Sequence, residues 1–174
     1  MRSKSGGELR GFTLLELMTV VVIIGILAST AVPLLNRYMK KSKTAEAQLN
    51  LRKIYDGELG YYTEEHLTSG GTTLSKEFVS AGVTPPYPAG ANKKVGDWEV
   101  SNWPLIRFAT DGPVQYCYSV TTTGIGTSSA FTARGEGDID NDGKTSLFER
   151  VGSVDPITGE VQGGAAIFEL DPLE

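Results

Sequence analysis

One stretch constrains this chain more than any other. From Phe12 to Leu35 it runs 24 residues with a single charge, Glu16. As a helix rising about 1.5 Å per residue, such a run reaches roughly 36 Å, enough to cross a hydrocarbon core of about 30 Å. It follows a short polar segment, MRSKSGGELR, carrying Arg2, Lys4 and Arg10 against Glu8. A secretory signal would carry a shorter apolar core with its small-residue cleavage site behind it. Here the one small-residue junction with an abrupt change of composition, Gly11–Phe12, lies in front of the run. A plain membrane anchor accounts for length and basic flank but not for Glu16, because a carboxylate inside an apolar span is costly and calls for a partner.

Gly11-Phe12-Thr13-Leu14-Leu15-Glu16 resembles the prepilin motif of the type IV pilins and type II secretion pseudopilins, and the following LMTVVVIIGILASTAVP resembles that family's helix. The resemblance is dense over residues 10–60 and weak beyond. It implies that a membrane prepilin peptidase cuts after Gly11 and methylates the new amine, so that residues 1–11 are a leader and Phe12 becomes an N-methylated first residue. Removing a leader of net charge +2 from a chain of net charge −5 leaves −7 on the mature protein. The cut creates an α-amine with a pKa of about 8, and Glu16 lies one helical turn away. Made within a subunit or between neighbours, that pair stabilises; with one partner missing it is costly. It therefore sets register between otherwise apolar helices.

Gly25 and Pro33 are the weak points of this helix. Proline removes a backbone hydrogen bond, and glycine costs about 1 kcal/mol relative to alanine. The residues alone predict a mild kink at Pro33; the resemblance implies that the segment between them loosens when the helix leaves lipid for a filament. Beyond Leu35 the helix changes character. Arg37, Lys40, Lys41 and Lys43 cluster just past the apolar run, on the side the family's topology places outside the membrane, against a simple positive-inside count. Residues 36–66 continue as an amphipathic helix ending near Glu65 or His66. Ala47, Leu51, Ile54, Tyr55 and Tyr62 form its packed stripe, with Glu46, Gln48, Lys53 and Glu58 on other faces.

The remainder, residues 67–174, is polar and rich in Gly, Thr and Ser. Gly70-Gly71, Pro85-Pro86 and Pro88 mark a loop between Thr68 and Ala91, with a short helix expected over 74–81. Strands are expected at 98–100, 105–109, 114–120, 130–133 and 165–170. Helix followed by strands predicts a pilin-like α+β domain, its apolar helical half standing clear and its amphipathic half laid on an antiparallel sheet.

The segment from Asp138 to Glu149 matches the loop pattern D-x-[DN]-x-[DN]-G-x5-E in full. Calcium takes six to eight oxygens. The candidate ligands are the carboxylates of Asp138, Asp140 and Asp142, the backbone carbonyl of Lys144, Ser146 directly or through water, and Glu149 with both oxygens. Gly143 permits the sharp turn. The preceding FTARGEG reads as strand and turn, so the match is to the loop without the helices of an EF-hand, and an acidic Asp142-Gly143 turn is the alternative. Structural Ca2+ there would tie the strand before Asp138 to the segment ending at Glu149.

Composition narrows the function. An acidic chain does not suit nucleic acid. The lone Cys117 cannot form an intrachain disulfide and reads as a buried thiol; the lone His66 reads as a solvated histidine at a helix end. No enzyme chemistry stands out. The resemblance implies a structural subunit, major or minor, of a type IV pilus: a single-pass inner-membrane precursor, then an extracellular or periplasmic filament of this chain or other pilins. A motor and an inner-membrane platform extract it. The alternatives are a type II secretion pseudopilin and, in a different class, a calcium-dependent binding module on an uncleaved anchor.

Overall fold

The computed structural model describes residues 11–87, 92–163 and 166–173. Residues 1–10 of the expected leader, the Pro88 turn signal and Ala165 lie outside the described residues. One helix dominates: α1 runs unbroken from Leu14 to Thr63, through Gly25 and Pro33. Strands β1 (Ala81–Thr84), β2 (Cys117–Thr123), β3 (Ala130–Gly137), β4 (Ser146–Val154), β5 (Val161–Gly163) and β6 (Phe168–Leu170) follow. By contacts the chain divides into two compact units, one ending at Tyr38 and one beginning at Met39.

The first unit contains the apolar half of α1, whose residues are exposed along their length as far as Met39. Its hydroxyl groups are satisfied within the helix. Thr19 donates to the Leu15 carbonyl at 2.6 Å, Ser29 to Ile26 at 2.7 Å and Thr30 to Leu27 at 2.9 Å, as an apolar surrounding demands.

The second unit is a helix laid on a sheet. The strands run in the order β1-β2-β3-β4-β5, all antiparallel, and β6 also pairs with β4. Since β3 occupies one edge of β4, β5 (against 152–154) and β6 (against 147–149) share the other edge end to end. Along β3 burial alternates, with Phe131, Ala133, Gly135 and Gly137 turned inward, the period of a half-buried strand. They meet Tyr116, Tyr118 and Val120 from the chain around β2 and Phe148 from β4, with Ala47, Leu51, Ile54 and Tyr62 of α1 closing the core.

Four expectations are corrected. Residues 74–80 form a strap without helix or strand. The Lys76 carbonyl accepts from the Gly126 N–H at 2.7 Å, the Val79 N–H donates to Glu58, and Phe78 stacks on Tyr62 (4.8 Å) and meets Phe131 edge-on (4.7 Å). These bonds replace the i→i−4 ladder of the expected helix. Residues 98–100 and 105–109 contain bends and turns and form no strand. Ser101, Asn102 and Arg107 have φ of 55, 68 and 53°, incompatible with a strand. Trp98, Trp103 and Phe108 are apolar there because they pack on one another at 5.0–5.3 Å. In the third place, β1, β4 and β5 are strands that the sequence does not announce, β1 because it falls in the proline- and glycine-marked loop and β4 because its first residues coincide with the end of the acidic loop pattern. The last concerns Glu58, which is wholly buried. It sits four residues from both Ile54 and Tyr62, on the packed stripe itself, and spacing alone reveals this once its charge is disregarded.

His66 is half-buried, its ring stacked on Tyr61 at 3.9 Å and its Nε2 2.9 Å from the Tyr61 carbonyl oxygen. Cys117 is buried, its thiol donating to the Glu136 carbonyl at 3.1 Å.

Candidate functional site

At the N-terminal end, Gly11, Phe12 and Thr13 precede the helix. Thr13 caps it. Its hydroxyl oxygen accepts from the Glu16 N–H at 3.2 Å, its hydroxyl reaches the Glu16 Oε2 at 3.5 Å, and its carbonyl takes the first helical bond from Leu17 at 3.2 Å. Thr-x-x-Glu is the sequence form of a capping box, a local role for Glu16 that the search for a counter-charge passed over. The Gly11–Phe12 peptide consequently lies in non-helical chain two residues before the first helical residue. Phe12 and the side chains after it are exposed, and α1 is long and apolar enough in its first half to cross a membrane.

At the other candidate site, Gly137 pairs with Ser146 as the last rung of the β3–β4 hairpin, and residues 138–145 form its loop. Ile139 is buried and pins the loop to the core. Around it the ligand atoms of Asp138, Asp140 and Asp142 come within 4.8 Å of one another. Asp138 is buried and works as the scaffold of the turn: its Oδ1 accepts from the N–H groups of Asn141 (2.6 Å) and Asp142 (3.3 Å), and its Oδ2 from Gly143 (3.0 Å). Gly143, at φ 90°, takes a conformation that a residue with a Cβ resists. Asp142 accepts from the Lys144 N–H at 2.9 Å.

The remaining candidates go elsewhere. Ser146 is buried and donates to the Gly137 carbonyl at 2.9 Å, locking the hairpin. Glu149 stands three rungs up β4, roughly 10 Å along the strand. There it faces Arg134 in register and pairs with its Nε at 2.5 Å. Hence the structure gathers the three aspartates and does not bring Glu149 to them. Two helix lysines, which the sequence reading assigned only to the membrane flank, reach this loop. The Lys40 ammonium pairs with Asp140 at 2.7 Å and holds its carboxyl below the ordinary carboxylate range, and Lys43 donates to the Ile139 carbonyl at 3.2 Å. The sequence signal for this was charge: a basic cluster on one element, an acidic cluster on another.

Comparison with known proteins bears on the first of these sites. Residues 10–32 match the prokaryotic N-terminal methylation motif. The chain is 46% identical over 56 residues to the type IV major pilin protein PilA of Myxococcus xanthus, covering 32% of this chain and 26% of that one. It is 37% identical over 93 residues to the type IV major pilin protein PilE1 of Neisseria gonorrhoeae, 53% of each. It is also 35% identical over 85 residues to the type II secretion system core protein G of Escherichia coli, 49% of this chain and 59% of that one. The chain thus spans about a quarter to three-fifths of the length of these relatives. No solved structure matches. The methylation motif, these partial matches and a long helix packed on an antiparallel sheet make the chain similar to type IV major pilins and to a type II secretion core protein.

Proposed function

We propose that this chain is a structural subunit of a type IV pilus, stored as a single-pass inner-membrane precursor and polymerised through α1 into a surface filament. The observation that carries the reading is Glu16, the one charged residue in an apolar helical half that is exposed throughout, within the stretch that matches a methylation motif. Prepilin peptidase cuts between Gly11 and Phe12 and methylates the Phe12 amine, which keeps its positive charge. Glu16 then answers that cation, its own or that of a neighbouring subunit. In lipid or in a filament core, where water is scarce, such a pair selects one stagger among many equally apolar ones. Gly25 and Pro33 are proposed as the points where the helix yields on extraction from the membrane by a motor and an inner-membrane platform. The partners are other copies of this chain and related pilins.

The experiment is twofold. Mass analysis of the mature protein is expected to find N-methyl-Phe12 as first residue; an intact N-terminus would return the chain to the reading of a binding module on an uncleaved anchor. Glu16→Ala is expected to be processed and held in the membrane yet to give few filaments, and a normal filament yield would remove Glu16 from assembly. A second reading, a type II secretion pseudopilin, is favoured by the similarity to core protein G; short periplasmic rather than long surface filaments would select it.

Calcium is part of the same proposal. The clustered carboxylates of Asp138, Asp140 and Asp142 suit a hard cation, with the Lys144 carbonyl or water completing the shell. Glu149 is engaged by Arg134 and does not complete it, so the fit is to a site built on three aspartates. A bound ion would compete with Lys40 for Asp140.

A further inference from the structure

The core contains an acid that the filament reading does not use. Glu58 lies in α1 with no exposed surface. Its Oε2 accepts the Val79 N–H at 3.0 Å, and its Oε1 has no hydrogen-bond partner among the described residues. Val79 belongs to the strap, residues 74–80, which carries no regular structure of its own. We propose that Glu58 is a pH-sensitive latch that seats the strap on α1 while protonated and releases it when ionised as the medium turns mildly alkaline.

Three observations carry this. A neutral carboxyl needs fewer partners than a carboxylate, and one accepted N–H with one orphaned oxygen is far short of what a buried anion requires. Among the described residues no cation pairs with it. Of the groups around it, Tyr61 on the next turn and Glu77 on the strap carry no positive charge. Burial, then Glu77, then Glu58 push the Tyr61 phenol up. The nearby cations are committed elsewhere, the Lys76 ammonium over the Tyr62 ring at 5.8 Å and Arg107 on Glu64 at 2.7 Å, while His66 stacks on Tyr61. Burial accordingly raises the Glu58 carboxyl to about 8, against only a partial lowering by the Val79 N–H.

The strap's hold on the domain is otherwise narrow. Among the described residues, besides the packing of Phe78 and Val79 and the Lys76 ammonium over the Tyr62 ring, it rests on the Lys76 carbonyl accepting from Gly126, the Ser80 carbonyl accepting from the Asn102 amide, and the Leu74 N–H donating to the His66 carbonyl. The direction follows from proton linkage. Between the ordinary carboxyl value and about 8 the folded protein keeps a proton that the unfolded chain has lost. The seated state therefore weakens as pH rises through that window and is weakest above it. Because the strap undocks locally, the central strands stay formed.

The test uses the full chain in detergent micelles, labelled for NMR. The Glu58 carboxyl carbon is expected to titrate far above the ordinary glutamate range. The Val79 amide, corrected for intrinsic exchange, is expected to lose protection by about tenfold or more between about pH 6 and about pH 9, while Ala133 on β3 keeps its own. Glu58→Gln, which retains an acceptor for Val79 without a charge, is expected to hold Val79 protection constant. A Glu58 carboxyl titrating in the ordinary range overturns the latch whether or not the variant folds. So does Val79 protection that is flat with pH, or that is lost equally in the Gln variant, or that falls together with that of Ala133.

Discussion

At the scale of single residues, polar side chains inside the core define how α1 meets the sheet. Asn50 is buried on the helix and its amide donates to the Tyr118 hydroxyl at 2.9 Å. Glu46 accepts the Gln115 N–H at 2.6 Å and pairs with Lys93 at 3.1 Å. Apolar contacts tolerate a shift of the helix along the sheet; directional bonds do not. Replacing Asn50 by Leu leaves the Tyr118 hydroxyl buried without its partner and is expected to cost about 1–3 kcal/mol. Adding Tyr118→Phe removes the orphaned group, so the double variant is expected to recover part of that loss. Urea unfolding of both single variants and the pair measures the coupling; strict additivity would mean that the bond contributes nothing specific. Neither residue was legible as a pair, because 68 positions separate them and no local pattern links them.

At the scale of elements, Gly57 and Gly60 both lie near the end of α1, and the structure separates the two. A Cβ at Gly57 would stand 2.2 Å from the Ile106 carbonyl oxygen, whereas one at Gly60 would meet nothing within 4 Å. Gly57 is thus the notch that admits the turn-rich loop around residues 101–107, whose Trp103 and Ile106 are buried. Gly57→Ala is expected to destabilise by roughly 1–3 kcal/mol as that loop is pushed away. Gly60→Ala is expected to stabilise by up to about 1 kcal/mol through helix propensity. Thermal or urea unfolding of the two variants decides, and equal effects would refute the notch. The same loop explains the two misassigned strands. Short apolar runs have no period long enough to tell a strand from an aromatic-packed turn, and tertiary packing settled the matter.

For the whole molecule, the division at Met39 predicts that a chain beginning there retains its fold, since every buried apolar residue lies beyond it. The hairpin loop at Asp138–Asp142 ties β3 to β4 and, through Lys40 and Lys43, to α1, so an ion there would act on the stability of this entire unit. For the chain from Met39 onward, the thermal midpoint is expected to rise with millimolar calcium and fall back with chelator. An unchanged midpoint would leave the loop as a hairpin turn held by Asp138 and the lysines.

The sequence by itself determined the N-terminal half. A run of apolar residues with one acid, a basic N-terminal segment and a glycine–phenylalanine junction are contiguous, and their physics depends on local composition and on the neighbouring turn of one helix. Thr13 and Glu16 interact within that turn for the same reason. Tertiary structure decided the rest, because there the partners are distant in the chain. It sent Glu149 to Arg134 rather than to the aspartates, since strand register moves a side chain about 3.4 Å per residue away from the loop. It drew Lys40 to Asp140 across 100 positions. It placed Glu58 in the core, where burial rather than the residue's ordinary chemistry governs its proton.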